Sequence, residues 1–231
     1  MMRPKKLWKL ACTKKSRLIL ALDYPGKFGY GKLLERLKDS VAAVKIGYPV
    51  LFSIGVDGLS ELISSYKEEY YFIADYKIAD IPAINGFIAQ RLKEIGFDGA
   101  IAHAIVGRDS LRAVSEQLDL FALVAMSHPG SAVINSRIED LIEMAIDSRA
   151  VGIVAPATFP KVLAKARRLA SDLVILSPGV GAQGAEYGSA LLSGADFEIV
   201  GRGLTLSENP VETAKCIVER YRTLIHESPL T

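Results

Sequence analysis

The chain has 231 residues, half of them hydrophobic and 23% charged, a composition that excludes a disordered or low-complexity protein and gives a single domain enough apolar surface for a sizeable core. No apolar run approaches the ~18 residues needed to cross a bilayer, which argues against a membrane protein. The 28 basic and 26 acidic residues hide an asymmetry: residues 1 to 17 carry seven basic side chains and no acid, and outside them 21 basic residues face 26 acidic ones, a formal charge of −5. A body of that sign is not a nucleic-acid binder by composition.

In chain order, the basic start comes first. Its apolar residues (Leu7, Trp8, Leu10, Ala11) are too interrupted for a signal peptide, and residues 1 to 17 read as a solvated, frayed extension, a nucleic-acid or membrane contact being the alternative. Short runs rich in Val, Ile and Ala then predict strands at 18 to 23, 42 to 46, 71 to 76, 99 to 104, 120 to 125, 150 to 154, 173 to 177 and 197 to 200. Helical periodicity follows each of them, at 29 to 38, 56 to 66, 83 to 95, 108 to 117, 137 to 147, 160 to 169, 184 to 193 and 210 to 225. Such alternation implies a parallel sheet covered by helices. An open doubly wound sheet usually has fewer strands and a Gly-rich first turn, absent after Asp23, so eight units predict an α/β fold of the (β/α)8 TIM-barrel type over residues 18 to 231.

In a barrel of this kind the chemistry lies at the carboxyl ends of the strands. Those ends carry Asp23, Lys45, Asp75, Lys77, Asp80, His103, Ser127 and Arg202. The densest cluster is Asp75-Tyr76-Lys77-Ile78-Ala79-Asp80. The two-residue period of a strand turns Asp75 and Lys77 to one side, and a bend before Pro82 is expected to return Asp80 towards them. With Lys45 from the neighbouring strand this gives an alternating array in which every charge has opposite neighbours, keeping the lysines protonated and the carboxylates ionised. A lysine so held is a poor nucleophile but suits a general acid and a positive charge beside a developing carbanion. Carboxylates already matched with ammonium groups also argue against a metal cage, and neither Cys12 and Cys216 nor the three histidines have metal-ligand or disulfide spacing. A reducing cytoplasm is the matching compartment.

The second feature is Gly-rich: Ser177-Pro178-Gly179-Val180-Gly181-Ala182-Gln183-Gly184 after the seventh strand and Val200-Gly201-Arg202-Gly203 after the eighth. Glycines let backbone amides approach an anion, and the loops after strands seven and eight are the common phosphate site of barrels. Arg202 adds a forked, charge-assisted contact. A ligand with phosphate at one side of the rim and a reacting carbon at the other is implied.

Taken together, Leu22-Asp23, Val44-Lys45-Ile46-Gly47, the Asp75 to Pro82 segment, Met126-Ser127-His128-Pro129-Gly130, the Ser177 to Gly184 segment and Gly201-Arg202 resemble the orotidine 5′-monophosphate decarboxylase family, especially its compact microbial and archaeal forms, from about residue 18 to 220. The resemblance implies conversion of orotidine 5′-monophosphate (OMP) to uridine 5′-monophosphate (UMP) and CO2 in pyrimidine biosynthesis, with no metal or organic cofactor. It implies Lys45, Asp75, Lys77 and Asp80 as catalytic residues, with Lys77 protonating C6. Asp23, Ile81, Ser127, Pro178, Gln183, Gly201 and Arg202 would bind substrate, and the Pro178 to Gly184 loop would close on the phosphate. It further implies a homodimer in which Asp80 is lent to the partner's site.

Two departures stand out. Ile84 replaces a common Thr, and Gly203-Leu204-Thr205 replaces a frequent Ser-Ile-Tyr, both bearing on affinity more than on chemistry. The rival readings are a Mg²⁺-dependent phosphosugar decarboxylase or hexulose-phosphate synthase, which would want another carboxylate near the second strand, and a non-catalytic nucleotide-binding barrel.

Overall fold

The structure is a computed structural model that describes residues 4 to 226; the last five residues assigned to the barrel lie outside the described residues. Eight parallel strands close on themselves in sequence order, β1 pairing with β8. They are β1 (Leu18–Leu22), β2 (Ala43–Gly47), β3 (Tyr71–Ile78), β4 (Gly99–His103), β5 (Asp119–Leu123), β6 (Gly152–Val154), β7 (Val174–Pro178) and β8 (Phe197–Val200). The expected TIM barrel is therefore what forms.

Alternation along each strand divides the core in two. Leu18, Leu20 and Leu22 face the helices, and Ile19 and Ala21 face the barrel interior with Ile73, Phe121, Leu176 and Ile199. Both faces of β1 are buried, which is why its sequence is apolar throughout. Phe121 fills the interior only because β4 and β6 begin with glycine: a Cβ on Gly99 or Gly152 would stand 2.9 and 2.7 Å from its ring.

The covering helices are α2 (Tyr30–Leu37), α3 (Tyr48–Tyr66), α4 (Pro82–Ile95), α5 (Arg108–Ser115), the short α6 (Ala132–Asn135), α7 (Ile138–Asp147), α8 (Pro160–Leu169), the short α9 (Ser189–Leu192) and α10 (Arg202–Thr205), and α11 (Pro210–His226). Two depart from the predicted ranges. The helix expected at 56 to 66 starts at Tyr48 and is broken at Gly55, whose φ of 69° is not helical. The helix expected at 184 to 193 shrinks to four residues, because Gly184 and Gly188 are left-handed and residues 178 to 188 fold as a loop instead.

The larger correction concerns the amino terminus. Residues Lys5–Lys14 form α1, an amphipathic helix rather than a frayed extension. Leu7 and Ala11 are buried in the barrel-interior cluster, and Trp8 packs edge-on to Phe197 with the Arg17 guanidinium 4.4 Å over its ring. Lys6 pairs with Asp98 at 2.7 Å, and Lys14 donates to the carbonyls of Val41 and Glu69. All of these partners precede or begin strands, so α1 floors the barrel at the end opposite the predicted site. The sequence pattern that looked interrupted is a helical stripe with lysines on its wet side.

Leu7→Ala is expected to cost about 3 kcal/mol, the usual penalty for emptying a buried leucine site. A thermal melt checks this. An unchanged midpoint would show that α1 contributes nothing to the core.

Candidate active site

The strand ends bring four charged side chains together. Lys45 sits on β2 between β1 and β3, so its ammonium reaches Asp75 Oδ2 at 2.6 Å and Asp23 Oδ1 at 3.7 Å. Lys77 donates to the other Asp75 oxygen at 2.8 Å. Lys45 is only 8% exposed, and an ammonium at that depth costs several kcal/mol unless it is paired. Burial pulls its pKa down, yet attraction from Asp75 and Asp23 outweighs burial and leaves it above the ordinary value. Asp75 mirrors this: burial pushes its carboxyl up, and Lys45 and Lys77 together hold it below the ordinary range.

The backbone of β3 is irregular here. Pairing with β4 slips between Ala74 and Ile78, and Lys77 adopts a left-handed φ of 46°. That bulge turns Lys77 outward to the mouth while Tyr76 and Ile78 on either side stay buried. Simple strand alternation therefore reaches the right partner by a different backbone route.

A cavity of about 400 Å³ opens over the array. Asp23, Lys45, Asp75 and Lys77 line it together with Ser127, Pro178, Gln183, Gly201 and Arg202. The Ser127 loop is tied down by residues the sequence reading missed. Asn135 accepts from Met126 N and donates to Met126 O and Ser131 Oγ, and Thr158 Oγ1 donates to the Ser127 carbonyl at 3.3 Å. Arg202 Nη2 lies 3.5 Å from the Ala182 carbonyl, linking the two Gly-rich loops.

The chain matches the model of the orotidine 5′-phosphate decarboxylase / HUMPS family over residues 16–217. It is 41% identical over 212 residues to the orotidine 5′-phosphate decarboxylase of Methanosarcina acetivorans, covering 89% of this chain and 94% of that protein. The Pyrococcus furiosus protein of the same name is 38% identical, covering 89% and 97%. The chain belongs to this family.

Solved members superpose closely. The orotidine 5′-monophosphate decarboxylase of Metallosphaera sedula gives a TM-score of 0.81 at 38% identity, with 90% of this chain and 99% of that one covered. That of Methanocaldococcus jannaschii, solved in complex with the inhibitor BMP, gives 0.80 at 36%, with 88% and 97% covered. The chain is thereby an enzyme of the carboxy-lyase class. The family match begins at residue 16, so α1 lies outside it.

Two of the family-implied positions do not join the cavity within one chain. Asp80 is exposed; its Oδ1 accepts from Ile81 N, and its own N–H donates to Asn85 Oδ1. The bend before Pro82 therefore does not fold Asp80 back on the array, because α4 starts at Pro82 and carries the chain away. Ile81 is 63% exposed beside it. Asn85, fully buried, also donates to the Ser110 carbonyl and so fixes this turn from below; a polar residue one turn into an amphipathic helix was the available signal. His103 ends β4 with Nδ1 unpartnered among the described residues, and burial, aided by Lys77, lowers its pKa and favours the neutral ring. Among the described residues no group of three His, Cys, Asp or Glu side chains is arranged to hold a metal ion.

The array has a defined pH window. A carboxylate with a lowered folded pKa adds stability above its unfolded value near 4 and loses it as the pH falls through the folded one. An ammonium with a raised folded pKa adds stability below its unfolded value near 10 and loses it as the pH rises through the folded one. The melting-temperature gap between the wild type and a Lys45→Met/Asp75→Asn variant is expected to stay constant from about pH 5 to about pH 9 and to change outside those limits.

Proposed function

We propose that this chain converts OMP to UMP and CO2, with Lys77 as the general acid that protonates C6 and with no metal ion in the reaction. The observation that carries the reading is the Lys77 ammonium, 2.8 Å from Asp75, in a cavity also lined by the Gly-rich loop after β7 and by Gly201 and Arg202, in a chain of this family.

Loss of CO2 leaves an sp² carbanion at C6 with little delocalisation. Stabilisation must therefore act on charge that appears only in the transition state. Lys77 is the half-exposed cation of the array, free to turn one N–H towards the substrate while another stays on Asp75. Asp75, held ionised, lies beside the departing carboxylate. Lys45 fixes Asp75 from behind and, with Asp23, faces the ribose. Ser127 and Gln183 hold the pyrimidine, and Gly201 and Arg202 take the phosphate, over which the Pro178 to Gly184 loop closes.

Metal independence is supported by the donor set. The Lys45 ammonium stands between Asp23 and Asp75, where a cation would otherwise sit, and repels one. The Mg²⁺-dependent rival lacks its carboxylates here. We assign the active unit as a homodimer in which Asp80 reaches the site of the second copy. The exposure of Asp80, followed along the chain by the exposed apolar Ile81, Ile84 and Phe87, supports this. The two exposed, unpaired thiols, Cys12 and Cys216, suit a reducing cytoplasm.

The test follows OMP absorbance with protein pretreated with EDTA. Activity that survives chelation supports the reading. Activity restored only by Mg²⁺ supports the rival, and UMP binding without turnover supports a non-catalytic module.

A further inference from the structure

The two Gly-rich loops at the phosphate side are separated by the whole of β8, yet one side chain stands against both. Tyr187 lies half-buried in the segment between Gly184 and α9. A Cβ built on Gly181 would lie 2.7 Å from the Tyr187 hydroxyl and 3.1 Å from its Cε1 and Cζ; one built on Gly203 would lie 2.4 Å from the same hydroxyl. The hydroxyl thus stands close against both glycines, leaving no room for a side chain at either one.

Gly181 has a second reason to be glycine, its φ of 72°. Gly203 has none. It is not among the left-handed residues and lies inside α10, where alanine is ordinarily the better residue. The hydroxyl of Tyr187 is the close obstacle to a side chain there, the next atom being Val200 Cγ1 at 3.4 Å. This gives a physical reason for the glycine that replaces the common serine. Tyr187 is also anchored along the chain: the next residue, Gly188, donates its N–H to Glu198 Oε2 at 2.8 Å, and Ala190 donates to Oε1 at 2.9 Å. Glu198 is fully buried on β8, so the strand that carries Gly201 and Arg202 also holds the backbone from which Tyr187 projects.

We propose that Tyr187 is a positioning residue that braces Gly181 and Gly203 at a fixed separation, so that the loop after β7 and the Gly201-Arg202 turn meet the substrate phosphate as one surface. Its hydroxyl makes no hydrogen bond among the described residues, and it acts by shape. The cavity is lined by Val180 and Ala182, the neighbours of Gly181, and by Gly201 and Arg202, which lead into Gly203. The proposal rests on the phosphate reading given above.

The test compares affinities for UMP and for uridine, which lacks the phosphate, by calorimetry on the full chain. Gly203→Ala is expected to weaken UMP binding by about tenfold or more while uridine affinity and melting temperature stay near wild type. Tyr187→Phe alone, which removes the atom that stands against both glycines, is expected to weaken UMP binding by about threefold or more while uridine affinity holds. In the double variant the hydroxyl is gone and the nearest ring carbon, Cζ, is 3.6 Å from the new methyl, an ordinary contact. UMP affinity should then recover most of the loss. A Gly203→Ala protein that binds UMP normally, a double variant no better than the single one, or equal losses for UMP and uridine would each overturn the brace. A wild-type protein that fails to prefer UMP over uridine would instead remove the phosphate reading, and the brace with it.

Discussion

Replacing Lys77 by alanine is expected to abolish OMP turnover, a loss of at least about 10⁴-fold, while UMP affinity stays within about tenfold, ~1.4 kcal/mol. Two effects disappear together: the positive charge beside the carbanion, and the proton delivered to it. The product carries neither the carbanion nor the carboxylate, so its binding does not draw on Lys77 in the same way. Asp75 keeps its 2.6 Å contact with Lys45, so the rest of the array stays charged and ordered. Steady-state turnover and calorimetry with UMP separate the two quantities. A Lys77→Ala protein that turned over normally would sink the general-acid assignment.

A second large effect is expected from Asp80. Among the described residues this carboxylate's hydrogen bond is to its own turn, from Ile81 N, yet its alanine variant should be nearly inactive if a second copy uses it. Lys77→Ala and Asp80→Ala proteins, each inactive alone, are then expected to regain activity when unfolded together and refolded, since each mixed dimer holds one intact site. Statistical mixing gives up to about a quarter of wild-type activity. No recovery in a mixture shown to exchange subunits would mean that Asp80 serves its own chain or none.

Much of this architecture was legible in the sequence for one reason. A parallel strand buried on both faces must be apolar throughout, so the charged residue that ends it is conspicuous, as Asp23 is after Leu-Ile-Leu-Ala-Leu. Helix starts were less legible. Tyr48 opens α3 immediately after β2, and the break at Gly55 hid the first half of that helix. Periodicity also overread residues 184 to 188, where the left-handed glycines carry loop rather than helix. The floor helix α1 escaped because its lysines dominate its composition, and burial of Leu7 and Ala11 depends on tertiary contacts that no local pattern states. At the site, the residue types were readable from the strand ends, whereas the supports were not. Asn85, Asn135 and Thr158 act through hydrogen bonds to backbone groups from other loops. Asp80 stands out in the sequence as a charge after β3, but α4 starts at Pro82 and the residue stays exposed and away from the array.

The left-handed backbone at residue 77 sets chemistry against durability. That conformation is roughly 1 kcal/mol harder for a residue with a Cβ than for glycine, and a half-exposed ion pair such as Lys77 with Asp75 returns little of it. Under the proposed general-acid role, glycine at this codon would therefore leave a silent protein no less resistant to heat than its parent. A screen that rewarded thermal endurance alone would accept that change, and on the proposed mechanism lysine would persist there only under a demand for turnover.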